Sequence, residues 1–126
     1  MTCTSVPKLA IDERCICNYH HVYASLRKFP KEEQYALCDQ LRRAVISIPS
    51  NIAEGSGRTS AKDQAHFFLE MAYGSLMEVD CQLDIACDLG YVSQEELVPL
   101  NMQIDRIASM LSGMRRKLLG PNSLTR

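Results

Sequence analysis

Residues Leu41–Ser60 read LRRAVISIPSNIAEGSGRTS, and the fold turns on how that stretch is parsed. It begins as an amphipathic helix, with Leu41, Ala44, Val45, Ile48 and Ile52 recurring at spacings of three and four. Pro49 falls inside it. Proline has no amide hydrogen and its ring crowds the carbonyl four residues back, so a helix bends or breaks there. The cost mid-helix is about 3 kcal/mol, which packing elsewhere must offset. Helix-compatible residues continue through Asn51–Glu54, and Gly55-Ser56-Gly57 ends the run. Gly55 and Gly57 suit the left-handed position that closes a helix. A phosphate-cradling glycine loop is the competing reading, but GSGR lacks the following GK[ST] and a preceding strand. The stretch therefore predicts a helix kinked near Pro49, joined by a glycine turn to the next helix. It names no reaction.

Upstream, Phe29-Pro30 ends a first helix, because the residue before proline is pushed out of the helical region. That helix is predicted over about 9–28, with Leu9, Ile16, Tyr19, Tyr23 and Leu26 as its apolar stripe. Pro30 suits the first turn of the second helix, with Glu32 and Glu33 at the positive end of its dipole. Residues 1–8 read as a flexible lead-in, 9–119 as one helical domain and 120–126 as a disordered tail.

Downstream, Ser60 is a good N-cap with Asp63 three positions on, and Gly90 suits a C-cap. The third helix between them carries a core stripe of Ala65, Phe68, Leu69, Ala72, Leu76, Val79, Leu83 and Ala86. At 100° per residue, Phe67, Met71, Gly74, Cys81 and Ile85 fall on the opposite side and form a second apolar stripe. A helix apolar on two faces buries both, so one face serves the bundle and the other predicts a neighbouring subunit. Glu78 lies on that second face, where a carboxylate is costly unless paired. The expected solution is a polar network joining Glu78 and Glu54 to Arg42 or Arg43, with Asn51 beside it. Glu54 and Glu78 as an acid–base pair is the catalytic alternative, and no supporting histidine accompanies it. Ser93–Glu96 then forms an S-x-x-E capping box for a fourth helix marked by Leu97, Leu100, Ile104, Ile107, Leu111, Met114 and Leu118. The pattern as a whole is all-α, an antiparallel up-down four-helix bundle.

The run Leu41–Arg58, with Ala72-Tyr73-Gly74-Ser75, Glu78 and Leu89-Gly90-Tyr91, is similar to a bacterial four-helix-bundle family. That family was first named from proteins encoded in intervening sequences of large-subunit ribosomal RNA genes. The similarity covers about residues 9–119, and SIPSNIAEGSGR is its most specific part. A related protein is the accessory variability determinant of diversity-generating retroelements. The resemblance implies a four-helix protomer, assembly into a ring-shaped pentamer, and association with nucleic acid or a reverse transcriptase. Family members commonly carry a tryptophan in the first helix, and this chain has none.

At 126 residues the chain is one domain, long enough to bury a core without metal or disulfide staples. The net charge of −1 gives no global attraction to nucleic acid or anionic membrane, so any such contact needs a local basic patch. No apolar run approaches the roughly 20 residues that span a bilayer, and no signal-peptide core opens the chain. A cytoplasmic protein is expected. Six cysteines (Cys3, Cys15, Cys17, Cys38, Cys81, Cys87) include no C-x-x-C pair. Cys15 and Cys17 would point about 200° apart on a helix, which disfavours a metal site with His20 and His21. No catalytic residue, metal or cofactor is expected.

Basic residues are the remaining candidates. Arg115, Arg116 and Lys117 cluster near the C-terminus, and Arg58 and Lys62 flank the glycine turn. Cations there also complement a helix dipole. Repeated around a ring, however, the same cluster becomes a band that meets many phosphates without reading sequence. The sequence thus predicts a non-enzymatic homo-oligomer that binds RNA or DNA. The alternative is a protein-binding scaffold or accessory subunit of an enzyme such as a reverse transcriptase.

Overall fold

Four amphipathic segments become four helices in the computed structural model, which describes residues 6–57 and 62–119, with side chains at 11, 13–57 and 63–118. They are α1 (Val6–Leu26), α2 (Leu37–Ser56), α3 (Lys62–Asp88) and α4 (Gln94–Leu119). Among the described residues there is no strand. The neighbouring pairs are α1/α2, α2/α3, α3/α4 and α4/α1, so the helices enclose one core from four sides. Side-chain contacts set their directions. Ser47 meets Ser75 and Gln40 meets Gln82, which runs α2 against α3. Lys28 meets Glu96 and Gln103 meets His21, which runs α1 against α4.

The apolar periodicity holds in three of the helices. Leu41, Ala44, Val45, Ile48 and Ile52 of α2 are buried, as are Ala65, Leu69, Ala72, Leu76, Val79, Leu83 and Ala86 of α3. Leu97, Leu100, Ile104, Ile107 and Leu111 supply the α4 side. In α1 the expected stripe needs correcting. Leu26 is buried as expected and Tyr19 and Tyr23 pack half-buried against the core, but Ile16 is 56% exposed, and Ile11, Cys15, Asn18 and Val22 face inwards. The true stripe includes the polar residues Asn18 and Ser25, so hydropathy alone places it about one residue off.

The start of α2 also differs from the expectation. Pro30 opens a short 3-10 turn (Lys31–Glu33), and α2 begins only at Leu37. Gln34, between the two, donates its Nε2 to the carbonyls of Leu26 and Phe29, near the C-terminus of α1. Arg42 holds Gln34 in turn, donating to its carbonyl at 3.2 Å and to its Oε1 at 2.6 Å. A glutamine–arginine clamp thus ties the start of α2 to the end of α1, where the Leu26 carbonyl also accepts from the Phe29 amide.

Gly55 and Gly57 do not take the left-handed conformation. Gly55 lies inside α2, and Gly57 caps the helix with φ −75°. The reason for Gly55 is proximity: a Cβ there would stand 3.3 Å from both the Ala65 carbonyl oxygen and Phe68 Cβ. Gly90 is the left-handed glycine, φ +85°. Its amide donates to Cys87 O and that of Tyr91 to Ala86 O, the paired bonds that close a helix C-terminus. The capping box of α4 forms as read: Ser93 N donates to Glu96 Oε1, and Glu96 N to Ser93 Oγ, both at 3.1 Å. Ser60 and residues 1–5 and 120–126 lie outside the described residues.

Candidate functional site

The outer face of α3 carries Phe67, Met71, Gly74, Glu78, Cys81 and Ile85, at alternating spacings of four and three. This seam repeats the period of the core stripe two residues further on, and so points about 200° away from it. Every one of these residues is exposed; Phe67 is 56% open, and Met71 and Ile85 are each 45% open. Ile46 of the adjacent α2 is equally exposed. Beyond its own turns of helix, nothing described comes within 4 Å of a Cβ built on Gly74, so no other helix of the protomer packs into that notch.

The five residues expected to form one polar network are not brought together. Arg42 is engaged by Gln34, and Arg43 pairs with Asp39 one turn back at 2.7 Å. Glu54 is too far along the helix for either arginine, about 16 Å beyond Arg43 at 1.5 Å per residue. Two smaller groups bridge α2 and α3 instead. Asn51 donates to the carbonyl and hydroxyl of Ser47, whose Oγ lies 2.9 Å from that of Ser75. Gln82 donates to Gln40 and to Glu78 at 3.0 and 3.1 Å. Glu78 is thus held by an amide rather than by a cation.

The second candidate region is the end of the bundle where α4 finishes. Arg116 and Lys117 are exposed in its last turn, while Arg115 is half-buried with Nε 3.4 Å from Glu70 Oε1. His66 Nε2 lies 3.8 Å from the same oxygen. Arg58 falls outside the described residues, as does the side chain of Lys62. Between α3 and α4 a cleft of about 220 Å³ is lined by Leu69, Glu70, Tyr73, Leu111, Ser112 and Arg115. Sequence reasoning misses Glu70, Tyr73 and Ser112, because only the antiparallel packing of α3 on α4 sets them beside Arg115.

Charge is divided along the bundle. Residues 20–50 and 76–107, the half nearer the α1–α2 and α3–α4 connections, carry six Lys or Arg against ten Asp or Glu, a balance of −4. Among the described side chains of the other half, four Lys or Arg stand against four Asp or Glu, a balance of zero. In the acidic half, burial followed by the charges of Asp84 and Asp105 raises the Asp80 carboxyl above its ordinary value.

Cys15 and Cys38 are buried, Cys87 is half-buried, and Cys17 and Cys81 are exposed; Cys3 lies outside the described residues. Gln103 Nε2 donates to Cys17 Sγ and contacts His21 Nδ1. Among the described residues no group of three or more His, Cys, Asp or Glu side chains is placed to hold a metal ion. No described helix is long and apolar enough to cross a membrane.

Beside this geometry, one family comparison is decisive. The model of the 23S rRNA-intervening sequence protein family matches residues 8–113. The chain belongs to that family. No individually curated protein matches it. The match takes in the whole α3 seam, Glu70 and Tyr73. It stops short of Arg115, Arg116 and Lys117.

Proposed function

We propose that this protein is a non-enzymatic ring of identical subunits, a pentamer, that binds RNA or DNA through its basic end. The exposed apolar seam on α3 carries the reading. Phe67, Met71 and Ile85 give a protomer a contact face of coiled-coil period that its own core does not use. A ring needs a second, different face, since head-to-tail contacts join unlike patches. Val98 and Met102, one turn apart and more than half exposed on α4, supply one. The pentameric number comes from the family resemblance.

The nucleic-acid half rests on Arg116 and Lys117, exposed in the last turn of α4 beside Arg115, which pairs with Glu70. A net charge of −1 does not oppose it when the negative charge is gathered in the other half. Repeated around a ring, even two exposed cations per subunit meet many phosphates, giving sequence-tolerant, salt-sensitive affinity.

Light scattering in line with size exclusion tests the assembly, and anisotropy titration of labelled RNA and DNA across a salt series tests the binding. A multimer near five subunits, with affinity falling steeply as salt rises, is expected. A monomer refutes the ring. A multimer that ignores nucleic acid at low salt favours the other reading, a scaffold or accessory subunit whose partner protein docks on the bundle.

A further inference from the structure

The cleft beside Arg115 is smaller than the roughly 300–1,000 Å³ of pockets that enclose cofactor-sized ligands, so it suits a single ring system. Leu69 and Leu111 are buried and give it an apolar floor, and Tyr73, more than a third exposed, supplies an aromatic side chain. Glu70 gives a carboxylate steered by Arg115 Nε at 3.4 Å and His66 Nε2 at 3.8 Å. Neither nitrogen makes a hydrogen bond to it, so the carboxylate keeps its accepting capacity. An apolar floor, an aromatic side chain and one polar edge are the features that receive an unstacked base.

The polar edge selects among bases. A carboxylate presents two adjacent acceptors and no donor. On its pairing edge guanine offers two adjacent donors, N1–H and the N2 amino group. Adenine and cytosine set an acceptor beside their donor, and uracil and thymine flank theirs with two carbonyls. Each of these turns a lone pair towards Glu70. We propose that the cleft between α3 and α4 binds one unpaired guanine of a nucleic-acid strand. Glu70 accepts from N1–H and N2–H, Tyr73 provides the stacking surface, and Arg116 and Lys117 hold the neighbouring phosphates. The inference rests on the nucleic-acid reading above and refines it: phosphate contacts stay sequence-tolerant, and the cleft adds a preference for one base.

The test compares full-length protein binding to a short labelled oligouridine with binding to the same strand carrying one central guanosine, at fixed salt. The guanosine strand should bind about tenfold more tightly, within the discrimination against a wrong base that one bidentate pair of hydrogen bonds supplies. Glu70→Gln and Tyr73→Leu should each bring that ratio towards one, with helical content checked by circular dichroism. Equal affinity of the wild-type protein for both strands overturns the cleft proposal and leaves the phosphate-binding reading standing. Failure to bind either strand at low salt overturns the nucleic-acid reading itself. Free guanosine 5′-monophosphate separates the two failures. It should shift the amide resonances of Glu70, Tyr73 and Ser112 more than adenosine 5′-monophosphate does, which supports the cleft without any strand; equal or absent shifts overturn it.

Discussion

Asn18 faces the middle of the core with 0% of its surface exposed, and neither its Nδ2 nor its Oδ1 makes a hydrogen bond. A buried amide left without partners costs about 1–3 kcal/mol. Asn18→Leu, close in shape and apolar, should therefore raise the urea midpoint by an equivalent of about 1–2 kcal/mol. A lower midpoint would mean that the amide is satisfied in solution. Asp80 carries a related penalty. Its carboxyl is raised by burial first and by Asp84 and Asp105 next, so the fold favours the protonated form. The resulting stability is present below the ordinary pKa of 3.8 and is lost as pH rises through the raised value. Asp80→Asn should accordingly melt higher than wild type at pH 7, with the advantage disappearing in acid; equal melting at pH 7 contradicts the assignment. At this scale the sequence is least readable. Asn18 looks like a solvent residue until the bundle closes over it, and hydropathy therefore turns Ile16 inwards in its place.

The elements themselves are legible wherever a local rule acts within one turn. The Ser93–Glu96 box and the Gly90 terminus need only neighbours in the chain, and both form with the bonds that their residues predict. Rules that depend on a second helix are not legible. Arg42 belongs to Gln34 and the end of α1, which no spacing within α2 announces. Gly55 is small because α3 passes close by, not because a turn needs positive φ. The glycines allow a paired test. Gly113 lies in α4 with nothing described beyond its own turns of helix within 4 Å of an added methyl, so Gly113→Ala should gain about 0.5–1 kcal/mol of helix propensity. Gly55→Ala has the same intrinsic gain but meets the Ala65 carbonyl oxygen at 3.3 Å, backbone that cannot swing aside. It should be neutral or destabilising. A gain equal to that of Gly113→Ala would show that α2 and α3 pack more loosely than described.

For the whole molecule, the fold class follows from four stripes of period near 3.6, and the candidate surfaces follow only in part. The α3 seam is readable from the sequence because an apolar residue on a face away from the core is conspicuous in a helical projection. The cleft is not, because Glu70 and Arg115 are 45 residues apart and meet only through the packing of α3 on α4. Gly74→Leu tests the seam without touching the core, since nothing described beyond its own turns of helix lies within 4 Å of the new Cβ. Helical content should be retained while light scattering reports a smaller particle; an unchanged mass places the subunit interface elsewhere. In the charged band, Arg116→Gln combined with Lys117→Gln should weaken binding to all strands alike. It should also flatten the logarithmic salt dependence by about one for each phosphate no longer neutralised. An unaltered slope would remove these residues from the interface.

The division of charge has a consequence for how the protein behaves on a charged solid support. A titration curve sees only the sum, −1, and describes a nearly neutral molecule. A resin sees whichever end is turned towards it. With −4 gathered in the half that holds the α1–α2 and α3–α4 connections, that end is far more acidic than the sum suggests. An anion exchanger should therefore hold the protein near neutral pH and low salt more strongly than a net charge of −1 implies, with the acidic end turned to the resin.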